Sequence, residues 1–312
     1  MNSAFGFRPG AAAGAVLLVA PMLIAAFCPA LVERLSRWVP HPFDSSSSNG
    51  WESTLPRIAR LAAPALLCLP YAMVAGSFGI FRWSWFALYA VLPLATTILL
   101  ERARESDPGS RGNWRDFVVL LALGLAVDLR WFEPAWPRGL AALGKMLLLD
   151  AGIFGFLVVR RLDQVGFDLR LTWQDLRHGL GEYLLYAVIA LPLGLWLGFL
   201  HLHAILPSPW RAIGAFVFTF VFIAIPEELF FRGWLQNLLE RRLGRIGALL
   251  VTAAIFGLSH WNKRAIHFNW RYVLMAAIAG IFYGRAWLAQ RRVGASALTH
   301  ASVDTTWSLW LR

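Results

Sequence analysis

Charge is scarce in this chain. Only 15% of its 312 residues are Asp, Glu, Lys or Arg, and 58% are hydrophobic. A soluble domain carries about 25% charged and about 45–50% apolar residues, so an ordinary soluble globule is excluded. Cysteine is nearly absent as well. Cys28 and Cys68 are the only two, both within apolar blocks, and neither a disulfide framework nor a thiolate metal site is expected from them. No internal repeat with a period of about 20–50 residues is found, and no H-E-x-x-H helix. Acidic residues are the minority charge, 18 against 29 basic ones, for a net charge of +11. The basic residues punctuate apolar blocks rather than forming a stripe. Their excess therefore reads as membrane orientation and contact with anionic headgroups, and nucleic acid is not an expected partner.

What the chain does have is long apolar blocks of about 15–22 residues, the length a helix needs to cross a bilayer core. Hydropathy places roughly ten of them, near 11–31, 58–77, 83–100, 115–129, 138–159, 180–200, 211–232, 246–261, 271–290 and 295–311. The expected fold class is an all-α, polytopic transmembrane helical bundle of about 8–10 spans. The first block is read as a retained span, since it is longer than a signal-peptide core. Residues 1–178 are expected to form an N-terminal transmembrane region of accessory spans and cytoplasmic loops, and 179–312 the region in which the chemistry sits.

Loop charge gives the orientation. Arg34, Arg37, Arg57 and Arg60 fill the first loop, which also holds the polar run "DSSSSNG". Arg102, Arg104, Arg111 and Arg115 fill the third, Arg160, Arg161, Arg170 and Arg177 the fifth, and Arg241, Arg242 and Arg245 the seventh. The alternate loops are sparse. The basic loops are thus expected in the cytoplasm, with the N-terminus outward. Lys263, Arg264 and Arg271 run mildly against this pattern.

An ionisable residue at membrane depth is costly and marks function by default. Lys145 and Asp150, in the fifth block, read as structural. The stretch Ile225–Trp234, "IPEELFFRGW", is different: Glu227, Glu228 and Arg232 stand in an otherwise apolar helix. Glu228 and Arg232 are spaced i, i+4 and can pair on one face. Glu227 is turned about 100° away and gets no partner from its own helix. Pro226 is expected to kink the helix just before them. If the chain reverses at Leu243–Gly244, Glu227 and His260 lie at the same depth, about 25 Å from the turn. A carboxylate registered against an imidazole can hold and deprotonate a water. Near the C-terminus, His300 and Asp304 are again i, i+4 and share one helical face.

In these residues the chain resembles the CAAX-protease and bacteriocin-processing (CPBP, or Abi) family of intramembrane glutamic endopeptidases, relatives of the prenyl-protein protease Rce1. The pattern E-E-x-x-x-R is Glu227-Glu228-Leu229-Phe230-Phe231-Arg232, F-x-x-x-H is Phe256 to His260, and H-x-x-x-N/D is His300 to Asp304. The resemblance covers about residues 180–312. It implies helices packed around a water-filled cavity and hydrolysis of a peptide bond in a membrane-associated protein. It implies that Glu227 and His260 activate water, that His300 and Asp304 stabilise the oxyanion, and that Glu228 and Arg232 support the site. Asp304 departs from the asparagine form. An ionised aspartate repels an oxyanion, so Asp304 serves either protonated, which burial favours, or, as the preferred role, by accepting a hydrogen bond from His300 and fixing its tautomer. No cofactor is implied. The implied partners are membrane lipids and a membrane-anchored substrate, whether a prenylated protein or a leader peptide, and the implied location is a multi-pass position in a bacterial inner (plasma) membrane.

Three rival readings use the same residues. Glu227, His260, His300 and Asp304 are a plausible zinc set for a metalloprotease. Buried Glu, His, Asp and Arg also suit a proton-coupled transporter. A non-catalytic scaffold for membrane peptides is the third.

Overall fold

In a computed structural model of the chain, residues 8–39, 61–203, 207–263 and 267–311 are described. Arg57, Arg60, Arg264 and the "DSSSSNG" run lie outside them. The described residues are helical, with no strand among them. Among the described residues six helical stretches are long and apolar enough to cross a membrane, from Pro9–Phe27 to Trp270–Gln290, and a shorter apolar one covers Ala63–Ser77. The protein is an integral, multi-pass helical bundle. Its Cα positions form two compact units, Met1–Asp163 and Gln164–Arg312.

The first unit contains α1 (Pro9–Phe27), α2 (Pro29–Trp38), α3 (Cys68–Ser77), α4 (Trp83–Ser106), α5 (Trp114–Asp128) and α6 (Ala142–Ile153), the last continuing as a π-helical turn to Val159. Proline opens α1 and α2, where its missing N–H costs nothing. A capping box of Asn113 and Asp116 opens α5. The unit's buried charge is concentrated on Arg160, which reaches Asp107 at 2.7 Å and Asp116 at 2.8 Å with its own side chain fully covered. Asp150 is buried, and neither of its carboxylate oxygens has a hydrogen-bond partner among the described residues.

The second unit contains α7 (Trp173–Trp196), α8 (Pro209–Thr219), α9 (Ile225–Glu228), α10 (Asn237–Leu258), α11 (Trp270–Gln290) and α12 (Val293–Trp310). Thr172 and Asp175 form a capping box at the start of α7. From α8 to α10 the helix is continuous but wound unevenly. Phe220–Ala224 and Leu229–Gln236 are π-helical, so Pro226 lies in a four-residue α turn between two wider ones. A proline's missing donor is absorbed by such local rewinding. Gly244 breaks α10 at φ 72°, ψ 172°, a left-handed value that suits glycine. The chain folds back there, which brings the Phe231 and Phe256 rings to 5.0 Å.

One corner ties the unit's basic end together. Arg292 holds Asp175 at 3.0 Å and Asp168 at 3.4 Å, and Arg291 pairs with Glu240 at 2.5 Å. Gly166 has φ +72° and lies so close to the Arg291 carbonyl that a Cβ would overlap it at 1.8 Å. Its carbonyl accepts from Val293 N–H at 2.9 Å. Hydrogen bonds from the Arg170 guanidinium, with the nearby Arg292 charge, hold the Asp168 carboxyl at about 2. That is below its unfolded value of about 3.9. Its stabilisation is therefore complete above about pH 4 and is lost as the pH falls toward 2. The difference in thermal midpoint between the wild-type chain and Asp168→Asn is expected to shrink to nothing across that window. A difference that disappears already near pH 5 would contradict the assignment.

Candidate active site

The second unit gathers most of the ionisable residues singled out in the sequence around one imidazole. Glu228 comes from the end of α9 and is completely covered. Arg232, one turn on in the π-wound segment, donates from Nη1 to Glu228 Oε1 at 3.0 Å. His300 Nδ1 meets the same oxygen at 2.7 Å. Ser296, one turn before His300 on α12, donates to the other carboxylate oxygen. Glu228 thus accepts from three side chains, the satisfaction a carboxylate without water requires.

Arg232 is equally enclosed. Its Nη2 donates to the Gly280 carbonyl at 2.9 Å. Its guanidinium lies 4.8 Å from the Phe256 ring centre and 5.3 Å from that of Tyr283, so aromatic faces replace the water the cation has lost.

His300 is fixed on both sides. Its ring stacks on Tyr283 at 4.6 Å and 15°, and Phe256 meets it edge-on at 5.7 Å. With Nδ1 committed to Glu228, Nε2 faces two further carboxylates: Asp304 Oδ2 at 3.5 Å and Glu227 Oε2 at 3.9 Å. Both separations exceed a good direct hydrogen bond. Glu227 and Asp304 keep 37% and 34% of their side chains accessible, whereas Glu228 keeps none. The two adjacent glutamates are therefore sorted, one sealed and one open to solvent. The sequence expectation that Glu228 pairs with Arg232 is met by the geometry. The expected hydrogen bond from His300 goes from Nδ1 to Glu228, while Asp304 faces Nε2.

His260 makes no hydrogen bond or ion pair with the rest of this cluster among the described residues. Its Nδ1 is 2.8 Å from the Phe256 carbonyl, and its ring is 4.9 Å from those of Phe256 and Tyr272. No hydrogen bond or ion pair joins it to Glu227 among the described residues. The helical register does match the expectation, since Phe231 faces Phe256 one turn below. Matched depth alone, however, does not put the two side chains in direct hydrogen-bond contact. With Nδ1 bound to a carbonyl, His260 keeps Nε2 for the cavity it lines.

That cavity, of about 80 Å³, is lined by His260, His300, Asp304, Tyr283, Tyr186 and Trp307, among others. Glu227 is not among its lining residues. Among the described residues no group of three or more His, Cys, Asp and Glu side chains stands in metal-binding geometry.

Sequence reasoning missed Ser296 and Tyr283. Ser296 had a signal: Ser296, His300 and Asp304 recur every four residues and so share one face of α12. Tyr283 had none, because its place depends on how α11 packs on α12.

The family model described as Rce1-like, type II CAAX prenyl endopeptidase Rce1-like, matches residues 209–306, which contain this whole cluster. No curated protein and no solved structure matches the chain.

Proposed function

Because residues 209–306 are Rce1-like, we propose that the chain is an intramembrane endopeptidase of the CPBP type, hydrolysing a peptide bond of a membrane-associated protein or peptide in a bacterial plasma membrane. The observation that carries this reading is the convergence of Glu227 and Asp304 on Nε2 of a histidine whose other nitrogen is anchored to a sealed Glu228.

In this reading Glu227 is the general base. A water lying between Glu227 and His300 attacks the scissile carbonyl carbon as its proton passes to Glu227. The carbonyl electron pair moves to oxygen. His300 gives its Nδ1–H to Glu228, and when Nε2 is also protonated it offers a second N–H to the developing oxyanion. Asp304 lies beside that N–H and orients it. His260, held by the Phe256 carbonyl, supplies a further polar contact from the cavity wall. The C–N bond then breaks as the leaving nitrogen takes the proton back from Glu227. Arg232 and Ser296 keep Glu228, and through it His300, in place.

This reading separates from the zinc reading by metal dependence. Cleavage of a membrane-anchored reporter peptide by the purified, lipid-reconstituted protein is expected to survive prolonged treatment with a strong chelator. Loss of cleavage that added zinc restores would replace the glutamate mechanism with a metal-assisted one. The transporter and scaffold readings lack a cleaved product, so peptide fragments dependent on Glu227 distinguish them from the peptidase.

A further inference from the structure

The cavity runs from the buried cluster toward one end of the second unit only. On α12 and just after it the lining spans His300 to Leu311, and on α11 it spans Tyr272 to Tyr283. On α10 it is formed by Phe256 and His260, in and just after the last turn. Since the part of α10 after Gly244 and α12 run one way and α11 the other, these stretches coincide at the end opposite the Gly244 turn. On the Gly244 side of His300, Ser296, Ala297 and Thr299 are buried in packing.

The two ends differ in charge. The Gly244 end carries Arg241, Arg242, Arg245, Arg291 and Arg292, with Arg170 and Arg177 where α7 begins. The opposite end carries Arg211, Lys263 and Arg271 among the described residues. Trp196 and Trp210 lie there, each 81% exposed, as interfacial anchors do. An excess of arginine marks the cytoplasmic end, so the cavity runs to the other face.

Resting on the endopeptidase reading above, we propose that the cavity opens on the non-cytoplasmic side of the membrane, and that its substrates are membrane-anchored peptides whose scissile segment has been translocated to that side. A lipidated terminus displayed at the cytoplasmic leaflet does not reach this mouth. The segment after α7 sits over the opening. Phe199 stacks on Trp307 at 5.7 Å and 17° and lies 5.5 Å from Tyr272. Leu200 fills the space beside Gly194, where a Cβ would approach it to 2.5 Å. His201 N–H donates to the Leu311 carbonyl at 3.1 Å, and His203 N–H to that of Trp310 at 2.9 Å. The lining is aromatic and aliphatic apart from the two histidines, Asp304, Thr306 and tyrosine hydroxyls, so an apolar peptide segment is what it accepts.

The test is the reaction of single cysteines with a membrane-impermeant maleimide in right-side-out and inside-out vesicles. The background is the full chain carrying Cys28→Ser and Cys68→Ser. Leu202→Cys marks the mouth, Leu243→Cys the Gly244 turn, and Val303→Cys the cavity wall. Leu202→Cys and Val303→Cys are expected to react in right-side-out vesicles, and Leu243→Cys only in inside-out ones. Adding Phe199→Ala is expected to speed labelling at Val303→Cys by roughly three- to tenfold, the shift that loss of one aromatic contact gives. Faster labelling of Val303→Cys in inside-out vesicles overturns the proposal. So does labelling of Leu202→Cys from the cytoplasmic side, or no labelling of Val303→Cys from either side even with Phe199→Ala. The readout needs no turnover. A chain that labels as expected but cleaves nothing refutes the peptidase reading and keeps the sidedness. An active chain that labels inversely refutes the sidedness alone.

Discussion

Glu227→Gln is expected to abolish peptide cleavage while the protein still folds. Glutamine keeps the size and hydrogen-bonding reach of the side chain but cannot take a proton from water, and removing a positioned general base costs about 10²- to 10⁴-fold in rate. The fold has little to lose at this position. Glu227 keeps 37% of its side chain accessible, and its approach to His300 is 3.9 Å. The decisive measurement is single-turnover cleavage of a membrane-anchored reporter by the reconstituted protein, alongside its thermal midpoint. A rate within a few-fold of wild type at an unchanged midpoint removes Glu227 from the role of base. A matching experiment at the sealed neighbour reads differently, because Glu228→Gln disturbs a carboxylate that three side chains depend on, and so the midpoint is expected to fall with the rate.

Arg232→Ala is expected to give the largest loss of stability. It leaves Glu228 charged and completely enclosed, and breaking a buried ion pair from one side costs about 3–5 kcal/mol. The vacated guanidinium site between Phe256 and Tyr283 adds a packing defect to the electrostatic one. The pair removed together, Arg232→Met with Glu228→Gln, is expected to be less damaging than Arg232→Ala alone, since no unpaired charge stays behind. Thermal unfolding in detergent or lipid checks both. An unshifted midpoint for Arg232→Ala, or a double variant worse than the single one, would show that the pair is not what holds this region.

The helical membrane fold was legible because the bilayer imposes a length and a composition on anything that crosses it, and the blocks near 83–100 and 271–290 announce both. The i, i+4 pairs were legible for a similar reason: Glu228–Arg232 and His300–Asp304 follow from helical geometry within one segment. The reversal at Gly244 was legible from a glycine in a basic, helix-breaking stretch. What was hidden depends on neighbours. The π-helical windings on both sides of Pro226 leave no compositional mark, yet they set the direction in which Glu227 and Glu228 point. That His260 and Glu227 share no direct hydrogen bond among the described residues was hidden too, because matched depth on two helices does not fix the angle around either. Glu228 as the anchor of His300, rather than a partner of Arg232 alone, required knowing that α12 packs against α9 with Ser296 facing it.

The stacking of His300 on Tyr283 has a consequence for how the site handles protons. An imidazole free to turn over can exchange its two nitrogens and carry a proton from one neighbour to another. Here the ring lies flat against one aromatic face, meets Phe256 edge-on, and is moored to Glu228 through Nδ1. Each nitrogen therefore keeps a permanent address, one facing the sealed interior and the other the wet cavity. The histidine behaves as a fixed terminal rather than a swinging arm, and a proton that leaves it on the cavity side has to return from that side.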